Sequence, residues 1–405
     1  MSKRVESEIE TFARIRVVGV GGSGCNAINH MINSKVRGVE FVAVNSDAQD
    51  LHRALSKRKI HIGKNLTRGL GTGMNPDLGK RAAEETRQQI QESLQGSDMV
   101  FITCGMGGGT GTGASAVIAK IAKEVGALVI AIVTKPFSFE GAQRKDIADR
   151  GLAELKKEVD AFIVIPNDKL LTVVEKTLSL KQAFALCDEV LREAVEGVSD
   201  IIRTPGDINT DFNDIKAVME GAGPTLMGIG VAEGDERAKE AAQRAVNSPL
   251  LDISISGAKG VLWVVAHSDD LGIMEVHEAS KIISESVDKN AKIIWGVMKD
   301  NKLKKGQVRI IVIATGFPES ASHSSHSGIE RSLFSMAAPA EKHDDEKGRI
   351  YHEILKHEEK LEVKSEKKEE PIVTATPHKR ENAPQAPEDD ETWGAIPAFL
   401  RRHKK

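Results

Sequence analysis

The sequence has few cysteines, no long apolar run and almost no net charge. Its three cysteines, spread over 405 residues, form neither a disulfide framework nor a CxxC metal pattern. No apolar stretch approaches the roughly 18 residues of a membrane span, and the charged residues 1–10 lack the apolar core of a secretory signal. A net charge of −3 gives no bulk attraction to nucleic acid. We therefore expect a cytoplasmic protein with no nucleic-acid partner.

The most distinctive stretch, GMGGGTGTG at 105–113, is a glycine loop without a lysine. An apolar run at 99–104 precedes it and an apolar, small-residue segment at 114–125 follows, which predicts strand, loop and helix. Such a loop lets the backbone approach a ligand, and the helix N-terminus offers N–H groups to an anion, most often a phosphate. The hydroxyls of Thr110 and Thr112 add donors. GxxxxGK[ST] does not occur, so this is not a P-loop.

Two further glycine loops are predicted at 21–26 and 69–75. The segment 19–24 matches GxGxxG, which alone is typical of an NAD(P)-binding Rossmann unit. That unit needs an acidic residue at the end of its second strand, but Glu40 begins the strand and Asp47 lies past its end. Three loops at one sheet edge favour a triphosphate instead. An oxidoreductase and a nucleotide-binding scaffold without turnover remain the alternatives.

Strands alternate with helices along the first half of the chain, which predicts an α/β fold with a parallel, doubly wound sheet. The predicted strands are 15–20, 41–44, 59–62, 99–104, 128–133 and 161–165, with helices after 26, at 78–95 and at 141–157. Residues 180–203 predict a long helix buried between two domains. Strands at 226–231, 261–266, 293–297 and 308–315, with helices at 237–246 and 272–287, predict a second, smaller α/β domain.

The segment GGGTGTG at 107–113 resembles the signature of the tubulin superfamily. From about Arg14 to Gly316, and again in the last dozen residues, the chain resembles the FtsZ family of bacterial cell-division GTPases. The resemblance implies GTP and GDP as ligands, with Mg²⁺ bound through the GTP phosphates and no protein ligand assigned. It also implies GTP hydrolysis that depends on polymerisation, and head-to-tail filaments that form the division ring at midcell in the cytoplasm.

With this resemblance, the patterns divide the chain into seven parts. They are an N-terminal extension (1–13), a Rossmann-like GTP-binding domain (14–179), a central helix (180–203), a synergy loop with its following helix (204–220), a C-terminal domain (221–317), a disordered linker (318–391) and a partner-binding peptide (392–405).

The resemblance also implies particular contacts with GTP. Phe184 would stack on guanine, and Asp188 would accept hydrogen bonds from guanine N1–H and N2–H₂, which favours GTP over ATP. Asn26 would lie near the guanine, Asn167 would contact the sugar or base, and Glu140 with Arg144 would contact the ribose. The expected GTP-binding residues are Gly21, Gly22, Ser23, Gly24, Cys25, Asn26, Asn45, Gly71, Thr72, Gly73, Gly105, Met106, Gly107, Gly108, Gly109, Thr110, Gly111, Thr112, Gly113, Pro136, Glu140, Arg144, Asn167, Phe184 and Asp188.

The stretch 209–214, NTDFND, follows the central helix and starts another. Asp211 is an N-cap candidate, and Asp211 and Asp214 can share one face at a helix start. The phosphate loops contain no obvious group that could position a water for hydrolysis. The stretch resembles the family's synergy loop, which reaches the γ-phosphate of the next subunit in a filament. The implied catalytic residues are Asn209, Asp211 and Asp214.

The last residues, WGAIPAFLRR at 393–402, form an apolar cluster at the end of a polar tail, which indicates a recognition peptide. They resemble the family's tail that binds a membrane tether and other division proteins, although Ala395 stands where relatives commonly carry Asp. The implied partner-binding residues are Ile396, Pro397, Phe399, Leu400 and Arg401. Contact with the membrane is expected to be indirect or weak.

The three cysteines all neighbour predicted site residues. Cys25 begins a helix, whose dipole favours a thiolate. Cys104 abuts the loop at 105–113, and Cys187 precedes Asp188. Two interpretations stay open: thiols that a nucleotide shields, or inert buried side chains. Ser23 and Cys25 stand where many relatives have glycine, and their small size predicts little effect.

Overall fold

The computed structural model describes residues 13–173, 179–203, 208, 211–248, 255–268, 271–300 and 302–317, which all belong to one compact unit. The predicted linker and C-terminal peptide, almost all of the N-terminal extension, and Asn209 lie outside the described residues. The expectations for those segments therefore stay predictions.

Six parallel strands form the sheet that carries the glycine-rich segments. They are β1 (Ile15–Val20), β2 (Val39–Asn45), β3 (Arg58–His61), β4 (Met99–Gly105), β5 (Leu128–Lys135) and β6 (Ala161–Pro166). Their order in the sheet is β3-β2-β1-β4-β5-β6. Strands β1, β4 and β5 are buried along almost their whole length, as continuous apolar runs predict. The predicted parallel, doubly wound sheet is confirmed.

Eight helices connect and cover these strands. They are α1 (Gly21–Asn33), α2 (Ala48–Arg53), α3 (Lys64–Thr67), α4 (Pro76–Glu85), α5 (Arg87–Leu94), α6 (Thr110–Glu124), α7 (Ala142–Glu158) and α8 (Asn167–Val173). The helix predicted at 78–95 is wrong, because it is broken at Thr86. The Oγ1 of Thr86 accepts a hydrogen bond from the backbone N–H of Gly63. This tertiary contact stabilises the interruption between α4 and α5.

The predicted boundaries of two glycine loops are also wrong. Residues 21–26 are the first turns of α1, and the last four residues of GMGGGTGTG are the first turn of α6. The reason is close packing: a Cβ on Gly24 would lie 2.5 Å from the carbonyl oxygen of Thr103. Glycine therefore lets the helix start against strand backbone, which outweighs its low helix propensity.

The central helix α9 (Leu180–Arg203) has its predicted bounds. Near its start, the ring of Phe184 packs edge-on against Phe137, just after the carboxyl end of β5, with 5.5 Å between centroids. At its end, Arg203 Nη1 donates to the carbonyl oxygen of Gly38, 2.8 Å away, just before the amino end of β2. The 24 residues span roughly 36 Å at about 1.5 Å per residue. The helix thus runs from the carboxyl edge of the parallel sheet to its amino edge.

Four more strands and three helices complete the described residues. They are α10 (Phe212–Met219), β7 (Gly223–Glu233), α11 (Arg237–Val246), β8 (Gly260–His267), α12 (Ile273–Glu285), β9 (Lys292–Lys299) and β10 (Gln307–Thr315). The strand order is β7-β10-β8-β9, with β10 antiparallel to β7 and β8. A short pairing of β6 with β7 joins both halves into a ten-stranded sheet. Among the described helices, none has the length and apolarity to cross a membrane.

Candidate nucleotide-binding site

The carboxyl edge of the parallel sheet gathers the predicted site residues. Gly21 directly follows β1, and Asn45 is the last residue of β2. Strand β4 runs into the loop at 106–109, β5 into Pro136, and β6 into Asn167. Because strands β1 to β6 are all parallel, these segments lie at the same edge. This is the edge at which doubly wound sheets bind ligands.

The three glycine-rich segments contact one another through their backbones. A Cβ on Gly21 would lie 2.9 Å from the backbone nitrogen of Gly111, and one on Gly109 would lie 2.7 Å from the backbone nitrogen of Asn75. Gly21 and Gly107 also have φ of 73° and 96°, in the left-handed region that favours glycine. Side chains at these positions would separate the segments, so the glycines are needed for the site to close.

The hydroxyls of the signature loop make hydrogen bonds within the protein. The backbone N–H of Gly107 donates to Thr112 Oγ1 at 2.9 Å. Thr110 Oγ1 lies 2.6 Å from Ser46 Oγ and 3.1 Å from Thr72 Oγ1. The sequence prediction missed Ser46, although it directly follows Asn45 at the end of a buried strand.

An aromatic corner brings together residues that are distant in the sequence. Arg144 Nη1 and Glu140 Oε2 form an ion pair of 2.8 Å with both side chains largely buried, and Glu140 Oε1 accepts from the backbone N–H of Phe137. The Phe137 ring stacks on exposed Phe139 at 4.9 Å and meets Phe184 of α9. The predicted ribose pair and the predicted guanine-stacking ring therefore share one corner.

Three polar groups of the predicted site residues, one half-buried and two buried, have no partner within the described part of the chain. Asp188, one turn after Phe184, makes no hydrogen bond or ion pair there, and burial raises the pKa of its carboxyl to about 7. Asn45 Nδ2 and Asn167 Oδ1 are likewise without a partner. Because buried polar groups are nearly always hydrogen-bonded, these groups are available to a ligand.

The cysteines are all buried, and burial raises the pKa of each thiol to about 12. Burial and the nearby Asp50 carboxylate oppose the thiolate that a helix start was expected to favour at Cys25. The structure agrees with the interpretation of inert, buried side chains.

Asp211 and Asp214 are not brought to this edge. They follow α9, which ends at the amino edge, and α10 packs against β5, β8 and β9. Asp211 Oδ1 accepts a hydrogen bond of 2.7 Å from the backbone N–H of Asp214, which confirms the predicted N-cap. The two acids therefore lie at the other end of the central helix from the glycine-rich segments.

A cavity of about 860 Å³ lies beside the site, between α4, α6 and α7. Thr112 and Gly113 line it, but Asn45, Asn167 and Asp188 do not. The unpartnered groups therefore mark the candidate nucleotide site better than the cavity does. No group of three His, Cys, Asp or Glu side chains in the described ranges is placed to hold a metal ion.

This edge of the sheet has the features of the purine-nucleotide-binding α/β proteins. Residues 14–175 match the model of the Tubulin/FtsZ family, GTPase domain, and residues 223–318 match the model of the FtsZ family, C-terminal domain. The chain belongs to the FtsZ family, within the Tubulin/FtsZ group of GTPases.

Solved structures agree with this assignment. An FtsZ dimer from M. jannaschii, described as empty, is 48% identical, with 76% of this chain and 89% of that chain covered and a TM-score of 0.72. A tryptophan-to-tyrosine mutant of FtsZ from M. jannaschii is 47% identical over 76% and 92% of the two chains, with a TM-score of 0.72. CetZ2 from Haloferax volcanii, a GTPgS-bound protofilament, is 22% identical over 76% and 94% of the two chains, with a TM-score of 0.65, and shares the fold.

Proposed function

We propose that this chain binds GTP, polymerises head to tail, and hydrolyses GTP where two subunits meet. The observation that carries the proposal is the course of α9, which is roughly 36 Å long and runs from the edge with the glycine-rich segments to the opposite edge, after which Asp211 and Asp214 follow in the chain. Each subunit then has a nucleotide site at one end and acidic residues at the other. A head-to-tail contact brings the two together and produces an open filament.

Guanine recognition is proposed to depend on Asp188. Its carboxylate, without a partner among the described residues, can accept from guanine N1–H and N2–H₂. Adenine presents an acceptor at N1 and would be repelled. Phe184 supplies the stacking ring, Glu140 and Arg144 the ribose contacts, and Asn167 a sugar or base contact.

Phosphate binding is proposed for the glycine-rich segments at 21–26, 71–73 and 105–113, whose backbone N–H groups and helix N-termini favour anions. Mg²⁺ bound to the phosphate oxygens would supply charge neutralisation. The carboxylates of Asp211 and Asp214 from the next subunit, with Asn209, would orient the attacking water.

The proposed cellular role is formation of the division ring at midcell in the cytoplasm. Residues 393–405 would bind a membrane tether and other division proteins through Ile396, Pro397, Phe399, Leu400 and Arg401. The support for this role is the family membership of the folded part and the apolar end of a polar tail.

Mixing two inactive variants tests the proposal. Asp211→Asn keeps its nucleotide site but lacks a catalytic carboxylate, whereas Asp188→Ala keeps its acids but binds GTP poorly. Each alone should hydrolyse little GTP, and an equimolar mixture should recover activity, because the acids of Asp188→Ala act on GTP bound by Asp211→Asn. Sedimentation with GTP, GDP or no nucleotide checks that the two variants co-assemble. A co-sedimenting mixture that stays inactive would contradict the shared site.

A further inference from the structure

Three buried hydroxyls from three separate segments meet beside the signature loop. Ser46 follows β2, Thr110 begins α6, and Thr72 lies in the glycine-rich segment at 69–75. Ser46 Oγ is 2.6 Å from Thr110 Oγ1, which is 3.1 Å from Thr72 Oγ1. Ser46 is 0% exposed, whereas Thr72 and Thr110 are 8% and 9% exposed. The chain of hydroxyls therefore leads from the interior towards the site.

Counting donors fixes the direction of the first link of this chain. A hydroxyl has one proton to donate and two lone pairs that accept. Within the described residues, Ser46 Oγ has Thr110 Oγ1 as its one hydrogen-bond partner. If Thr110 donated to Ser46, the buried proton of Ser46 would have no acceptor, which is unfavourable. Ser46 therefore donates to Thr110, and the proton of Thr110 points away from Ser46.

We propose that Ser46 is a positioning residue for phosphate binding. With Ser46 donating, the Thr110 proton is available to Thr72, 3.1 Å away. In the proposed arrangement Thr110 donates there, which leaves the Thr72 proton free for a nucleotide phosphate. Successive hydroxyls polarise one another, and a hydrogen bond to an anion is stronger than one between neutral groups. The inference rests on the proposed binding of GTP and adds a residue that contacts no ligand itself.

Nucleotide binding by the full-length chain tests this role. Ser46→Ala removes the donor that fixes the chain, so the affinities for GTP and GDP should fall about tenfold, in keeping with one charge-assisted hydrogen bond. The affinity for guanosine, which has no phosphate, should not change. The cysteine in Ser46→Cys has a similar shape and a weak donor, so this variant should lose less affinity for GTP and GDP than Ser46→Ala. It replaces Ser46→Ala in the test if that variant fails to fold.

Two further measurements separate positioning from a general loss of stability. Thr72→Val should lose affinity for GTP and GDP, and combining it with Ser46→Ala should cause no further loss, because both interrupt one chain. The matched control is Ser56→Ala: Ser56 is 3% exposed and donates to the carbonyl oxygen of Phe41 near the amino end of β3. This control should lower the melting temperature without changing any nucleotide affinity.

The inference is overturned if Ser46→Ala lowers guanosine and GTP affinity equally, if it behaves like Ser56→Ala, or if its effect adds to that of Thr72→Val. Each of these outcomes leaves the proposed function intact as long as the unchanged protein binds GTP. Failure of the unchanged protein to bind GTP would instead overturn the proposed function.

Discussion

Asp188 carries a half-buried carboxylate without a hydrogen-bond donor in the described part of the chain, and loss of solvent raises its pKa to about 7. The sequence and the family resemblance predicted the residue, but not its ionisation state, which depends on how the surrounding elements exclude water. The same holds for the amides of Asn45 and Asn167. At this scale, residue identities are predictable and their environments are not.

Guanosine binding should depend on pH through Asp188. The ionised carboxylate can accept two hydrogen bonds from guanine and the protonated form cannot, so affinity should fall as the pH drops through about 7. Guanosine is the right ligand because it has no phosphate that titrates. The dissociation constant measured between about pH 5.5 and 8.5 checks this. In Asp188→Asn, binding should be weak and flat with pH; an unchanged pH profile in that variant would exclude Asp188 as the cause.

The stability of the nucleotide-free protein should change in the opposite sense. The pKa of Asp188 rises from 3.8 to about 7 on folding, so its favourable contribution to stability is complete below pH 3.8 and is lost as the pH rises through 7. Asp188→Asn should therefore raise the melting temperature more at pH 8 than at pH 5, because only part of the contribution has been lost at pH 5. Equal shifts at both values would show that ionisation is not involved.

The elements were predictable where local signals define them. Helix α9 has the predicted bounds, since its apolar spacing runs up to Thr204-Pro205-Gly206. The predicted starts of α1 and α6 were wrong because glycine is a poor helix former. Close packing of Gly24 against Thr103 outweighs this low propensity in α1, and it involves a residue distant in the sequence. The break at Thr86 likewise depends on Gly63, a distant residue in the sequence.

The N-cap of α10 makes Asp211 a structural residue as well as a proposed catalytic one. Asp211→Ala should destabilise the protein by about 1 kcal/mol, because the capping oxygen is lost. Asp211→Asn retains a capping oxygen and should keep the melting temperature, yet both variants should lose most GTP hydrolysis per sedimented subunit. Thermal unfolding and phosphate release measure the two effects. Full hydrolysis by Asp211→Asn would remove the carboxylate from the mechanism.

At the scale of the whole molecule, the sequence predicted two α/β halves joined by a long helix. It did not predict that β6 pairs with β7 at Ala161–Gly223 and Phe162–Pro224, which makes the sheet continuous. A pairing between residues about 60 positions apart leaves no periodic pattern in the sequence. The location of the site at the carboxyl edge was predictable, because parallel strands place all their following loops there.

Removing residues 393–405 should leave GTP hydrolysis and sedimentation unchanged, because the family match of the folded part ends at residue 318. The truncated chain should no longer bind a membrane-tethering partner. Co-sedimentation with tether-coated vesicles, with the full chain as control, measures this. A truncated chain that fails to polymerise in purified form would show that the tail contributes to the folded part.

The course of α9 makes the two ends of the proposed filament chemically different. At one terminus a nucleotide site faces solvent without catalytic acids, and at the other the acids face solvent without a nucleotide. A filament of n subunits therefore has n − 1 complete sites. The expected rate of GTP hydrolysis per subunit in a dimer is thus half that in a long polymer. In the proposed filament, the GTP at the open nucleotide terminus would be the last to be hydrolysed and the one free to exchange, because no acids from a further subunit reach it.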